Sequence, residues 1–359
     1  MRPFFAGILI MNKIATQSAP HFQNRAAIAA AFALTLLLSC RLFAATPPAA
    51  EDAKTPPKPA VPARPAEPQA LKIEEVTIPT GDNVQISATY YHGARGEESI
   101  PLLLLHGFGA KHNRTDYTKE FAPLLQSKGF AVIVPDLRGH GESTRLKTIR
   151  GKDETLDAAT FAPQQFGLMV TQDLTAVKDF LWARNNAHEL NLDKLCVVGA
   201  EMGASLAVDF TLYDSMGYEQ GRSNYGSLKL GRFVKALVLL SPETSFKGIS
   251  VPHAVQNPAV WNDISVLLLV GEADDKALKE AKRVNSVFER NRPKPDPEKE
   301  ADQRTLFFTP LETKLQGASL LADKNLKVQD IILAFLNLRL AKNDAAKTWV
   351  WKERKLPHQ

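Results

Sequence analysis

Five short and wholly apolar runs constrain the fold of this chain more than any other feature of its sequence. They are PLLLLHG (101–107), AVIVPD (131–136), KLCVVGA (194–200), VKALVLLS (234–241) and ISVLLLVG (264–271). Runs of this length and composition are typical of strands that are buried on both faces of a sheet. Longer segments with helical periodicity separate them, and this alternation predicts parallel βαβ units.

A predicted hairpin precedes these runs. The segments LKIEEVTIPT and VQISATYYHG alternate apolar and polar residues around Gly81, Asp82 and Asn83, which indicates two antiparallel strands joined by a tight turn. We therefore predict one α/β domain over residues 70–340, with a mostly parallel central sheet, an N-terminal antiparallel hairpin and helices on both faces. The composition, 44% hydrophobic and 23% charged, is that of an ordinary globular protein.

The residues before this domain have the pattern of an export signal and a tether. The uncharged run AAIAAAFALTLLLSC (26–40) is short for a bilayer span and suits the apolar region of a signal peptide, which we place at residues 1–45. Residues 46–69 contain eight prolines and favour an extended linker. We expect an exported protein that is periplasmic, extracellular or envelope-anchored. Cleavage at the small residues that follow the run would secrete it, whereas Cys40 is a candidate lipid anchor.

The formal charge of +5 lies at the two ends of the chain. Residues 1–45 carry four basic residues and no acidic one, residues 347–359 carry a net +3, and the residues between them carry a net −2. A basic face for nucleic acid is therefore not expected. In the basic tail, residues 341–359, Trp349 and Trp351 alternate with polar residues. We expect this tail to dock on its own domain as a short strand, with a partner or membrane surface as the alternative.

Three motifs stand at the ends of predicted strands in a fixed order. HGFG (106–109) follows one strand, PDLRGHGES (135–143) follows the next, and the turn GAEMGASLA (199–207) comes about sixty residues later. In this order they resemble the α/β-hydrolase superfamily, most closely its lysophospholipase-like and serine-aminopeptidase-like branch, over roughly residues 70–340. The resemblance implies a nucleophile on the sharp turn, an acid after the next-to-last strand and a histidine after the last strand.

Two of those three positions hold a different residue in this chain. The nucleophile position is Glu201 instead of serine, and the histidine position, in KLQGASLL, is Gln316. The acid position is Asp274, which also suits a helix N-cap. The resemblance places the oxyanion hole at the backbone N–H groups of Phe108 and Met202.

Several residues around these positions have supporting roles in the resemblance. Gly199 and Gly203 frame the turn, while His106, Gly107 and His140 belong to the two loop motifs, where histidines mostly hold loops rather than react.

Ser205 lies one turn into the helix and is a poor alternative nucleophile, and His253 is an isolated candidate base. Any cover over the site is expected from residues 144–167 or 213–231.

These substitutions lead to two hypotheses about function. In the first, the protein is a non-catalytic hydrolase homologue that binds a small ligand or an envelope protein. Glu201 then occupies the oxyanion hole, and Gln316 bridges Glu201 and Asp274 by hydrogen bonds. In the second, it is an active hydrolase of esters or related bonds that uses Glu201 or an unrecognised base. Binding of a cation by the carboxylates is a minor third alternative. No metal or cofactor is expected, and apart from the alternative given for the basic tail, the only membrane contact expected is the possible anchor at Cys40.

Overall fold

The structure is a computed structural model of the chain. It describes residues 71–148, 151–224, 231–294, 303–342 and 344–354, all within the compact unit Pro65–Gln359. The predicted signal peptide and linker lie outside the described residues. No helix among the described residues has the length and apolar character that a membrane crossing requires.

The strands of the central sheet begin and end close to the predicted apolar runs. Their bounds are β1 Ile73–Pro79, β2 Val84–Tyr91, β3 Pro101–Leu105, β4 Ala131–Pro135, β5 Arg145–Leu146, β6 Glu154–Thr155, β7 Leu195–Ala200, β8 Val234–Leu240, β11 Ser265–Gly271 and β12 Leu306–Leu311. A separate two-stranded hairpin consists of β9 Ser245–Phe246 and β10 Ile249–Ser250.

The order of the strands is β12-β11-β8-β7-β3-β4-β2-β5-β6, with β1 paired to β2. The pairs from β12 through β4 are parallel, whereas β2 runs antiparallel to both β1 and β4. The predicted hairpin and the mostly parallel sheet are confirmed. Because the parallel strands end at one edge, the loops after β3, β7, β8, β11 and β12 meet there.

Helices cover both faces of the sheet, as predicted. Their bounds are α1 Thr115–Thr118, α2 Phe121–Ser127, α3 Pro163–Leu168, α4 Thr175–Asn186, α5 Met202–Asn224, α6 Val251–Ala254, α7 Pro258–Trp261, α8 Asp275–Arg290 and α9 Val328–Leu336. A π-helix, Met169–Leu174, joins α3 to α4. Strand β3 shows how the core divides: Leu103 and Leu105 pack in one apolar cluster with α4, α5 and α8, and Leu102 and Leu104 pack in the other with α2 and α9.

The C-terminal segment packs on its own domain, although residues 349–354 form no strand. The indole of Trp351 donates to the backbone oxygen of Asn185 at 3.1 Å, and that of Trp182 donates to the backbone oxygen of Arg354 at 2.7 Å. Arg354 is buried, forms an ion pair with Asp193 and lies over Phe233. Side chains of α4 thus take over the backbone bonds that a strand partner would make.

Candidate active site

Glu201 lies on the sharp turn between β7 and α5, in a left-handed conformation with φ of +50°. For a residue with a side chain this conformation costs roughly 1–2 kcal/mol. The Glu201 N–H donates to the Leu240 oxygen at 2.9 Å, which fixes the turn to the adjacent strand. A Cβ atom on Gly203 would lie 2.7 Å from the His106 oxygen, and one on Gly199 would collide with the backbone of Gly203. Both glycines are therefore required by close packing.

The Glu201 side chain lies between two further glycines. A Cβ atom on Gly107 would lie 2.6 Å from Glu201 Oε2, and one on Gly317 would lie 3.0 Å from Oε1. No described residue donates a hydrogen bond to this carboxylate. Burial raises the pKa of Glu201, the charges of Glu243 and Asp116 raise it further, and His112 opposes them.

The two predicted oxyanion-hole donors are the backbone N–H groups of Met202 and Phe108. Met202 directly follows Glu201 and is the first residue of α5, and Phe108 directly follows Gly107, which lies against the Glu201 carboxylate. Within the described part of the chain, neither N–H has a hydrogen-bond acceptor, and the Glu201 carboxylate is not bonded to either. The expected hydrogen-bonded filling of the oxyanion hole by Glu201 is therefore absent.

Gln316 lies after β12, beside Gly317, but does not bridge Glu201 and Asp274. Its Nε2 donates to the Gly271 oxygen at 2.9 Å, and its Oε1 accepts from Ser241 Oγ at 2.5 Å. Ser241 Oγ also accepts from the Gly317 N–H at 2.9 Å. The amide therefore joins the ends of β8 and β11 to the loop after β12, and the predicted bridge is wrong.

Asp274 serves as the N-cap of α8. Its Oδ1 accepts from the N–H groups of Lys276 and Ala277, both at 3.0 Å. Neither Glu201 nor Gln316 contacts it by a hydrogen bond. The carboxylate thus accepts hydrogen bonds from N–H groups of the first turn of α8. Aspartate is favoured at the N-cap of a helix for this structural role.

His106 and His140 hold the loops around the site. Leu137 N–H donates to His106 Nε2 at 3.0 Å, so the ring proton is on Nδ1, which donates to the Gly107 oxygen at 2.7 Å. Burial, together with the neighbouring His140, lowers the pKa of His106 to about 3. The two rings lie 4.9 Å apart. A histidine held neutral in this way orients the loop that carries Gly107.

One pair of residues at the site was missed by the sequence analysis. His112 and Asp116 lie in the loop and helix after β3, and His112 Nδ1 is 2.9 Å from Asp116 Oδ2. A Cβ atom on Gly107 would lie 2.6 Å from Glu201 Oε2. It would also lie 3.5 Å from His112 Nδ1. The histidine and the glutamate therefore both lie beside Gly107, close enough for the charge of His112 to act on Glu201. The i, i+4 spacing of His112 and Asp116 after a strand was the available signal.

The two alternative residues take no part in this arrangement. Ser205 is fully buried in α5, and its hydroxyl is 3.5 Å from the Glu243 oxygen. His253 lies in α6, where its charge acts on Asp209 rather than on Glu201.

Three phenylalanine rings, those of Phe108, Phe166 and Phe246, pack together beside the oxyanion loop. The Phe108 ring centroid lies 5.8 Å from that of Phe166 and 5.4 Å from that of Phe246, and Lys247 Nζ lies 5.1 Å above Phe108. Phe166 comes from the predicted covering segment 144–167. Phe246 comes from the β9–β10 hairpin, which lies outside both predicted covering segments.

Among the described residues, no three His, Cys, Asp or Glu side chains are grouped in a way that could hold a metal ion. The chemical groups at this edge are the carboxylate of Glu201, the His112–Asp116 pair, two N–H donors without an acceptor in the described part of the chain, and the amide of Gln316.

Comparison with known proteins agrees with this architecture. A family model for the alpha/beta hydrolase fold matches residues 100–263. No curated protein matches the sequence. Structural similarity extends to a fungal esterase from Rhizomucor miehei, with 12% identity, a TM-score of 0.51, and coverage of 76% of this chain and 85% of that one.

Two further solved structures are similar. A protein of Bacteroides ovatus assigned as a dipeptidyl aminopeptidase IV has 14% identity and a TM-score of 0.50, with 75% of this chain and 36% of that chain covered. An esterase from Pyrococcus furiosus has 18% identity and a TM-score of 0.46, with 74% and 92% covered. At these identities the likeness concerns the fold. The family match and the strand order identify this chain as an α/β-hydrolase-fold protein.

Proposed function

We propose that this protein is a non-catalytic hydrolase homologue that binds a small ligand or a protein partner in the crevice above Glu201. The observation that carries the proposal is the role of Gln316. In the α/β-hydrolases that the sequence resembles, the position of Gln316 is held by the histidine that removes the proton of the nucleophile. Here the position holds an amide, which accepts no proton at accessible pH, and its bonds go to Gly271 and Ser241.

The neighbouring groups support the same proposal. Asp274 is bonded to the start of α8, so it does not orient a base. Glu201 is longer than the aspartate that some branches of the superfamily use as a nucleophile, and its carboxylate lies back against Gly107 and Gly317. An ester formed on Glu201 would need an activated water for its release.

The test combines activity assays with restoration of the missing groups. The full chain should not hydrolyse simple aryl esters and should not react with a serine-directed phosphonate. The double variant Glu201→Ser with Gln316→His should gain phosphonate labelling, whereas Glu201→Ser alone, the matched control, should gain much less. Ester turnover by the wild type that disappears in Glu201→Gln would refute the proposal.

The His112–Asp116 pair favours one second candidate, an active hydrolase with Glu201 as nucleophile. Asp116 holds His112 Nδ1, which leaves Nε2 to give a proton to the departing alcohol and then to take one from water. The carboxylate of Glu201 would attack the ester carbonyl, and the activated water would release the acid and restore Glu201. This candidate requires that His112→Asn and Glu201→Gln each abolish turnover, while His253→Asn, a histidine away from Glu201, leaves it unchanged.

The proposal also includes export, which rests on the apolar run 26–40 and the proline-rich residues 46–69. Cell fractionation and N-terminal sequencing of the mature protein test it. A mature chain that begins at a lipidated Cys40 would identify an envelope anchor, and one that begins shortly after residue 45 would identify secretion. An uncleaved chain in the cytoplasm would contradict both.

A further inference from the structure

The guanidinium of Arg292 is incompletely paired at the edge of the sheet opposite Glu201. Arg292 follows the C-terminal end of α8, and its Nη1 donates to Thr305 Oγ1 at 2.7 Å, just before β12 begins. Because β12 is parallel to its neighbour, this end of the strand lies at the amino edge. Arg292 lines a cavity of about 420 Å³ there.

The unpaired part of Arg292 is the edge that binds oxyanions best. Its Nε and Nη2 atoms are buried and have no hydrogen-bond partner among the described residues. These two donors point the same way and match the two oxygens of a carboxylate or phosphate. Arg138 of the same chain uses the same edge on Asp173, with distances of 2.9 Å from Nε and 2.6 Å from Nη2. In the described part of the chain, no acidic side chain accepts a hydrogen bond from the equivalent edge of Arg292.

The surroundings hold the guanidinium in place and favour an anion. Its carbon lies 5.4 Å from the centroid of the Phe288 ring, and the hydrogen bond to Thr305 fixes its rotation. Among the described residues that line the cavity, Lys294 and Arg304 add positive charge and Glu289 is the only carboxylate.

The unpaired polar atoms of the cavity include a hydrogen-bond acceptor as well as the two donors of Arg292. Glu289 Oε1 already accepts from Asn285 Nδ2 at 2.8 Å, and Asn285 Oδ1 is buried with no donor from the residues that the structure describes. Burial lowers the pKa of Arg292 to about 10, with a contribution from the charge of Arg339, and Arg292 stays protonated at neutral pH. Burying the charge of Arg292 and the oxygen of Asn285 without hydrogen-bond partners costs free energy, which a ligand that pairs with both groups would remove.

We propose that this cavity binds a small ligand through an oxyanion group, a carboxylate or a phosphate, held side-on by Nε and Nη2 of Arg292. Asn285 Oδ1 accepts a hydrogen bond from an O–H or N–H group of the same ligand. The site is separate from the crevice above Glu201, because the two lie at opposite edges of the sheet.

The test measures thermal stabilisation and calorimetric binding of the full chain with inorganic phosphate and, in a second arm, acetate. Sodium chloride at matched ionic strength is the control. At least one anion should raise the melting temperature saturably, as expected for a ligand that binds only the folded state. Saturation by phosphate alone would assign a phosphate ligand, and saturation by acetate alone a carboxylate.

Variants decide whether Arg292 is responsible. Arg292→Lys keeps the charge but loses the paired donors, and should weaken binding at least tenfold, as should Arg292→Gln. Arg290→Gln, at an exposed arginine two residues away, should bind like the wild type. Circular dichroism verifies that each variant is folded.

Three results would overturn the proposal. The first is an equal shift with chloride, and the second is unchanged binding in both Arg292 variants. The third is no saturable shift in the wild type or in a variant in which the four acidic residues between Lys294 and Gln303 in the sequence are neutralised. That variant carries Asp296→Asn, Glu298→Gln, Glu300→Gln and Asp302→Asn.

Discussion

The buried ion pair of Arg138 and Asp173 anchors the loop PDLRGHGES, and its removal should be strongly destabilising. Asp173 lies in the π-helix, is fully buried, and accepts from Arg138 N at 3.1 Å, Nε at 2.9 Å and Nη2 at 2.6 Å. The other side of the guanidinium binds the partly exposed Asp82. Arg138→Met removes the charge that compensates Asp173 while keeping an apolar stem of similar length.

The expected loss follows from the burial of Asp173. Removing one partner of a buried pair costs about 3–5 kcal/mol, because the remaining charge has no water to solvate it. The matched control is Arg145→Met, since Arg145 pairs with Asp153 at the surface, and such pairs contribute about 0–1 kcal/mol. Replacing both buried partners, in Arg138→Met with Asp173→Leu, should recover most of the loss.

The pH dependence gives the reasoning an independent test. Burial raises the pKa of Asp173 from 3.8 to about 6 in the wild type, although the charge and hydrogen bonds of Arg138 oppose it. Without Arg138 the pKa must rise further, so the carboxyl becomes neutral at mildly acidic pH. The loss in Arg138→Met should therefore be smaller at pH 5 than at pH 8 in urea unfolding. A loss below about 1 kcal/mol at pH 8, or one that is equal at both pH values, would refute the reasoning.

Three further predictions concern the elbow, Glu201 and the C-terminal segment. Gly203→Val should abolish folding, because even a Cβ meets the backbone of Leu105 and His106; a native circular dichroism spectrum would contradict this. Glu201→Gln should stabilise the protein increasingly as pH rises above 4.5, because a raised pKa means that ionisation of Glu201 destabilises the fold. A difference in urea stability that is independent of pH would oppose it. Deleting residues 349–359 removes the hydrogen bonds to α4 and the Arg354 ion pair, and should lower stability by about 3 kcal/mol or more. An unchanged melting temperature would show that the segment is dispensable.

The sequence contained enough information to predict the fold. Wholly apolar runs separated by helical periodicity specify parallel buried strands, because only such strands need apolar residues on both faces. The position of Glu201 on the turn was also predictable, since close packing requires Gly199 and Gly203 whatever residue lies between them.

The hydrogen bonds at the site depend on the tertiary structure. Gln316 reaches Ser241 and Gly271 only because the ends of β8, β11 and β12 are adjacent in the sheet, and no local pattern encodes which acceptor its amide selects. Asp274 had two plausible roles, and the nearby free N–H groups of α8 decided between them.

The sequence by itself therefore determined the fold and the place of Glu201 on the turn after β7, because apolar periodicity and glycine spacing act over a few neighbouring residues. The tertiary structure alone decided which side chains meet. His112 lies beside Glu201 at Gly107, and Arg292 has no acid partner among the described residues, because contacts between distant residues depend on how the loops pack at the two edges of the sheet.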